Sequence, residues 1–218
     1  RDAVLENVPR LTYTARHAAS HHALRRAVVR STDLPLVIDL AECTQEQTKT
    51  LLEGAQPGAW RAVRSLTVLH GPSSSEVVRL GAACPRLTKL HLPDLSLGHD
   101  ASLSFLTSLA ACPGLTELNI GSMNLMSLGG PGTGEKLQAC LPSLKLLTVT
   151  KGRGGSILAQ LLAGQLECLD TCLMLADTNA LLPRCARLRR LRLRHVVCCV
   201  ATLQALALAP QLECVQLE

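Results

Sequence analysis

Apolar residues recur along most of this chain in one short pattern. The pattern is apolar at its first, fourth and sixth positions and mostly polar between them, as at residues 87–92 and 115–120. It occurs eight times, starting at Pro35, Val63, Leu87, Leu115, Leu144, Leu166, Leu188 and Leu212. Successive starts lie 28, 24, 28, 29, 22, 22 and 24 residues apart. We expect each copy to form one short strand and each interval to return the chain to the next strand.

The intervals are expected to contain helices, which makes the predicted fold class α/β. The predicted helices cover residues 45–53, 75–83, 102–111, 135–140, 156–162, 179–182 and 201–209. Several follow a serine or threonine that is suitable as an N-cap. The Gly-, Ser- and Pro-containing segment 121–134 is expected to be an irregular loop that accounts for the longest interval.

Residues 1–34 do not follow this pattern and are expected to form a short helical N-terminal cap. Val4, Leu5, Val8 and Leu11 have helical spacing, and a second apolar face runs through residues 15–29. A stop signal follows at residues 31–35, which contain Ser, Thr, Asp and Pro. The predicted domains are therefore a cap at 1–34 and a repeat region at 35–218.

The best-matched copies are Ala-Ala-Cys-Pro-Arg-Leu-Thr-Lys-Leu-His-Leu at 82–92 and Ala-Ala-Cys-Pro-Gly-Leu-Thr-Glu-Leu-Asn-Ile at 110–120. They resemble the cysteine-containing class of leucine-rich repeat, which is familiar from F-box proteins. The resemblance implies a solenoid of about eight repeats, with a curved parallel sheet on its concave face and helices on its convex face. The last copy has no polar cap, so we expect that the solenoid continues beyond the C-terminus or that a partner covers this end.

The leader carries a second resemblance. Residues 2–8 and 18–28 are similar to the body of an F-box, although the usual leading Leu-Pro is missing and His21-His22 replaces an expected apolar-Cys pair. The resemblance implies that Val4, Leu5 and Val8 bind the adaptor of a ubiquitin ligase. The alternative is that the leader is an ordinary helical cap on the first repeat.

The ten cysteines do not indicate a disulfide scaffold. Cys84, Cys112 and Cys185 each lie three residues before a first leucine, and Cys140 lies four before one, which is typical of a repeated buried position. Cys168 and Cys172 would lie about 13 Å apart on one strand, beyond the roughly 7 Å that a disulfide allows between Cα atoms. We therefore expect reduced thiols and a cytoplasmic or other reducing intracellular location.

Composition excludes several classes of function. Net charge is +5, but only 1% of residues are aromatic, so a stacking platform for nucleic acid is not expected. No apolar run is long enough to span a membrane. The Gly-rich segment 129–136 has Glu135 where a phosphate-binding loop needs lysine, and the basic turn 151–156 is typical of a strand-to-helix connection. His17 with His21, and His195 with Cys198 and Cys199, lack further ligands for a metal. No catalytic arrangement, metal or cofactor is expected.

The polar positions of the strands are the predicted binding surface. They would form rows across the sheet, and the densest charge lies at residues 189–195, where Glu167 and Glu213 would flank Arg189 and Asp170 would flank Arg192. This pairing would leave Arg190 and Arg194 to bind an acidic partner. The predicted partner-binding residues on the concave face are His91, Asn119, Asp170, Arg190, Arg192 and Arg194.

Two functions follow from these observations. In one, the protein is a protein–protein interaction module that recognises substrates for an F-box-type ubiquitin ligase. In the other, it is a non-catalytic scaffold subunit of a larger assembly.

Overall fold

Eight short strands form one parallel sheet, and they lie in the sheet in the same order as in the chain. The computed structural model describes residues 36–39, 46, 60–68, 74–125, 133–152, 154–172, 180–194, 200–207, 209 and 211–217. Within these residues the structure is α/β, with helices between the strands. The predicted cap at 1–34 lies outside the described residues. The arrangement is compatible with a solenoid, because each strand pairs with its neighbours in sequence.

The element bounds follow the repeat closely. The strands are β1 Leu36–Asp39, β2 Val63–Thr67, β3 Lys89–Leu97, β4 Glu117–Met123, β5 Leu146–Lys151, β6 Cys168–Thr171, β7 Arg190–Leu193 and β8 Cys214–Leu217. The α-helices are α1 Ser74–Ala83, α2 His99–Ser108, α3 Thr133–Cys140, α4 Gly154–Leu162 and α5 Val200–Ala207. Two 3₁₀ turns lie at Leu109–Ala111 and Leu182–Arg184.

The fourth position of each repeat belongs to one row along the sheet, and this row is buried from β2 to β7. Its members pair in register from strand to strand: Ile38, Leu66, Leu90, Leu118, Leu147, Leu169, Leu191 and Val215. From Leu66 to Leu191 they are at most 2% exposed. The predicted alignment of Leu90, Leu118, Leu147 and Leu191 on neighbouring strands is confirmed. Burial of one leucine per strand holds the register, since a slip of one residue would turn it to the solvent.

The turn before each strand from β2 to β8 contains a second buried position, three residues ahead of the first position of the repeat. It is filled by Trp60, Cys84, Cys112, Leu141, Ala163, Cys185 and Ala209, all at most 6% exposed. The amides of Leu87 and Leu115 donate to the carbonyls of Cys84 and Cys112 at 3.0 Å. Cys140 was expected to share this role, but Leu141 has the correct spacing and takes the place.

The thiols of this row are part of the packing. Cys112 Sγ donates to the carbonyl of Cys84 at 3.1 Å, and burial raises the pKa of Cys112 to about 11, so the thiol keeps the proton that it donates. Burial also raises the pKa of Cys84 and, to about 11, that of Cys185. All seven cysteines in the described part of the chain are free thiols.

Strands β3 and β4, in the middle of the sheet, are longer than the repeat predicts. Gly121 was expected to begin a loop, but β4 continues through it to Met123 and β3 reaches Leu97. The pairing resumes at Ser96↔Ser122 after an irregularity in β3. Gly121 permits this extension, because a Cβ there would lie 2.0 Å from the carbonyl oxygen of Pro93.

The helices also depart from the predicted bounds. α2 begins at His99, three residues before the predicted start, and ends at Ser108, three residues before the predicted end; its N-cap residue Gly98 makes no side-chain cap hydrogen bond. Of the predicted helix at 179–182, Ala180 and Leu181 are helical, and the 3₁₀ turn at Leu182–Arg184 follows them directly. Of the predicted helix at 45–53, Glu46 alone lies among the described residues, and it is helical. None of the described helices is long and apolar enough to cross a membrane.

The outer edge of β8 is open among the described residues. Val215 is 40% exposed and Leu217 is 37% exposed, whereas their neighbours Leu191 and Leu193 on β7 are 2% and 0% exposed. Every earlier strand from β2 onward has a described strand on both sides. Val215 and Leu217 are more exposed than their partners on β7 because no described strand lies on the outer side of β8 to cover them.

Candidate functional site: the outer face of the sheet

The third and fifth positions of the strands form two rows on the face that points away from the core. The third-position row is Val37, Ser65, Lys89, Glu117, Leu146, Cys168, Arg190 and Cys214. The fifth-position row is Asp39, Thr67, His91, Asn119, Thr148, Asp170, Arg192 and Gln216. From β2 to β8 all of these side chains are half-buried or exposed. Both rows have the membership that the repeat predicts.

Glu117 is the centre of one charge cluster. Its carboxylate lies 2.8 Å from Lys89 Nζ and 2.8 Å from His91 Nε2, so it joins the two rows. Partial burial alone would raise the pKa of Glu117, but the hydrogen bonds and positive charges of Lys89 and His91 outweigh it and lower that pKa. His91 is therefore placed on the outer face, as predicted, but its described polar contact is to a carboxylate of the same protein.

Two further ion pairs cross between neighbouring strands at the second position of the repeat. Lys145 Nζ lies 2.8 Å from Glu167, and Arg189 Nη1 lies 3.2 Å from Glu213. The hydrogen bond from Lys145 lowers the pKa of Glu167. The expected pairing of Arg189 with Glu213 is confirmed. Glu167, which was expected to flank Arg189 as well, makes its ion pair with Lys145.

Asp170 has a different principal partner from the one predicted. Arg194 donates from Nε and Nη2 to the two carboxylate oxygens of Asp170, both at 2.8 Å. Arg192, which lies directly opposite Asp170 in the register, approaches only to 3.9 Å. The prediction that Arg194 is left unneutralised is wrong, because its planar guanidinium binds this carboxylate with two parallel hydrogen bonds.

Arg190 keeps the position that the repeat predicts. It is exposed on β7, between Cys168 on one side and Cys214 on the other. Within the described part of the chain no carboxylate lies within ion-pair distance of it. Of the three predicted arginines, Arg190 is the one with its guanidinium available to a partner.

A shallow groove of about 460 Å³ crosses the second and third positions of six successive repeats, from the copy that contains β3 to the copy that contains β8; we call it the charged groove. Its lining residues are Lys89, Thr116, Glu117, Lys145, Leu146, Glu167, Cys168, Arg189, Arg190 and Glu213. Leu146 and Cys168 are adjacent in the register and half-buried, so they form an apolar floor between charged walls. Neither was among the predicted binding residues, although the third-position row already placed both on this face.

Asn119 lies between His91 and Thr148 on the fifth-position row. Its Oδ1 is buried and has no hydrogen-bond partner among the described residues. A buried acceptor without a donor is costly. Asn119 therefore remains a predicted partner contact, with an acceptor that a donor could satisfy.

The remaining candidate residues of the sequence lie apart from this face or outside the described residues. Val4, Leu5 and Val8, the histidines His17 and His21, and residues 195–199 lie outside the described residues. The turn at 151–156 contains Gly152 at φ 86°, where a Cβ would lie 2.6 Å from the carbonyl oxygen of Met123, so its glycines serve close packing. Among the described residues, no group of three or more His, Cys, Asp or Glu side chains could hold a metal ion.

Comparison with known proteins gives no matching family model and no significantly similar curated protein. The assignment of a repeat class and of a function therefore depends on the residues and their geometry alone.

Proposed function

We propose that this protein is a leucine-rich repeat solenoid that binds a partner protein through the outer face of its sheet. The observation that supports this most strongly is the common register of the parallel strands, in which the fourth positions align from Leu66 to Leu191. It holds one buried row constant while the rows on either side of it vary from Lys89 and Glu117 to Leu146 and Arg190. A rigid surface with variable side chains suits protein recognition.

The composition of the face favours a protein partner over a polyanion. Its cations are largely paired with carboxylates of the same face: Lys89 with Glu117, Lys145 with Glu167 and Arg189 with Glu213. A nucleic acid would meet those carboxylates at each cation, which opposes binding of a phosphate backbone. The proposal includes no catalytic role.

Cross-linking mass spectrometry on the intact protein in its native extract tests the proposal. Thr148→Arg adds a large charged side chain to the centre of the outer face, and Gln138→Arg adds the same group to the exposed surface of α3. We expect Thr148→Arg to remove the partner's cross-links and Gln138→Arg to keep them. Partner cross-links that map to the helices and survive Thr148→Arg would contradict a role for the outer face.

The leader decides between the two wider roles. If it is an F-box, the protein is the recognition arm of a ubiquitin ligase, and the wild-type chain should pull down the ligase adaptor. Replacing Val4, Leu5 and Val8 with aspartate should abolish that interaction without affecting partner binding by the outer face. If the wild-type chain binds no adaptor, the scaffold role is favoured.

A further inference from the structure

We propose that the charged groove binds a partner segment that places an apolar side chain over Leu146 and Cys168 and a carboxylate against Arg190. These three residues occupy one row on consecutive strands, in the register Leu146↔Cys168↔Arg190. This inference rests on the proposed protein-binding role and specifies the partner's chemistry at the groove.

The apolar part of the site follows from the floor of the groove. Leu146 and Cys168 are half-buried, whereas Lys145 and Arg190 beside them are exposed, so the apolar pair is flanked by charged side chains that reach further into the solvent. Because Leu146 is only half-buried, an apolar side chain laid over it would remove its remaining apolar surface from the solvent. Interfaces commonly bury such an apolar centre inside a polar rim.

The carboxylate follows from the charge balance of the groove. Its lining contains four cations, Lys89, Lys145, Arg189 and Arg190, and three carboxylates, which leaves one positive charge. The first three cations each have a carboxylate within 3.2 Å. Arg190 has cysteines on both sides in its row. It is therefore the cation to which an incoming carboxylate can bind with two hydrogen bonds.

The register also limits the spacing of the two groups. Neighbouring strands lie about 4.8 Å apart, so the points that contact Leu146 and Arg190 are separated by about 10 Å. An extended segment advances about 3.3 Å per residue, so an apolar residue and an acidic residue three positions apart would match this distance. Two positions span about 7 Å, which matches an apolar side chain that lies midway between Leu146 and Cys168. A segment with several acidic residues would instead bring like charges against Glu117, Glu167 or Glu213, which disfavours binding.

A random library of short displayed peptides, selected on the full chain, tests this directly. We expect enriched peptides to carry one apolar and one acidic residue two to three positions apart. Affinities of the enriched peptides are then measured for the wild type, Leu146→Lys, Arg190→Glu and Arg79→Glu. Arg79 is exposed on α1, so it is a matched charge-reversal control outside the groove.

Each groove variant should weaken the selected peptides about tenfold or more, because each removes a central contact, while Arg79→Glu should change affinity by less than about twofold. A peptide with lysine in place of its acidic residue should regain affinity for Arg190→Glu. Circular dichroism checks that the variants fold. If Leu146→Lys does not fold, Arg190→Glu and the charge-swapped peptide carry the test, because Arg190 is exposed.

Three results would overturn the proposal: no peptide binds the wild type, enriched peptides lack the apolar and acidic pair, or binding is indifferent to the groove variants. Peptides that ignore Leu146→Lys and Arg190→Glu but are lost with Thr148→Arg would refute the groove while leaving the outer face as a binding surface. If binding of the peptides is unchanged by Leu146→Lys, Arg190→Glu and Thr148→Arg, the result would also oppose a binding role for the outer face.

Discussion

Replacing Leu193 with alanine should destabilise the protein much more than the same replacement at Leu217. The two leucines are register partners at the sixth position of β7 and β8. They differ in cover, since Leu193 is 0% exposed and Leu217 is 37% exposed. The pair therefore isolates the contribution of the following strand to the burial of each leucine.

The expected magnitudes differ because only one site encloses a cavity. Truncation of a fully buried leucine costs about 2–5 kcal/mol, which includes the cavity that is left. Leu217 would lose about three fifths of a full burial free energy, or about 1–2 kcal/mol, and water can fill the space on its open side. We expect Leu193→Ala to be the more costly change by at least about 1 kcal/mol.

Urea unfolding followed by far-UV circular dichroism measures both costs in the full chain. Hydrogen exchange of the β7 and β8 amides should accompany it, since a strand at the edge of the described sheet can open by itself. Equal costs would refute the reasoning, because they would mean that Leu217 is as enclosed as Leu193. A cost below about 1 kcal/mol at Leu193 would contradict its place in the core.

Three further predictions use other parts of the chain. Gly121→Ala should cost about 1–3 kcal/mol because its Cβ would meet a backbone carbonyl at 2.0 Å, whereas Gly114→Ala, with open space, should be nearly neutral in thermal unfolding. At neutral pH, iodoacetamide should modify exposed Cys214 well before buried Cys112, whose pKa burial raises to about 11, as measured by peptide mapping. The pKa of Glu117 is lower in the folded than in the unfolded protein, so its ionised form stabilises the fold at pH values above the unfolded pKa of about 4.3, and this stabilisation is lost as pH falls through the folded pKa. In Glu117→Gln the free energy of unfolding should therefore fall less steeply as the pH is lowered below about 4.3.

The backbone of the outer face could be predicted from the sequence because one residue type fixes it. A leucine at the fourth position of successive copies places Lys89, Glu117 and Arg190 in one row by counting alone. The row that contains Cys84 and Cys112 follows from the same count. Both predictions depend on the spacing of residues along the chain, which can be read directly from the sequence.

The ion pairs could not be predicted in the same way, because side-chain reach does not follow strand register. The repeat spacing places Arg192 opposite Asp170, yet the two hydrogen bonds to Asp170 come from Arg194, which lies two residues later and just after β7. The extension of β4 through Gly121 depends on a close approach to Pro93, which lies 28 positions earlier. Such contacts join residues that are far apart in the sequence, so no local sequence pattern predicts them.

Stability and recognition are carried by different rows of this fold. The fourth-position row is leucine from Leu66 to Leu191, while the adjacent third-position row changes its chemistry at nearly every strand. A substitution at Leu146 or Arg190 alters the outer face but leaves the buried row that holds the register in place. Because surface pairs of this kind contribute only about 0–1 kcal/mol each, the charges of the face are free to change with the partner. The groove can therefore be specific without having to hold the sheet together.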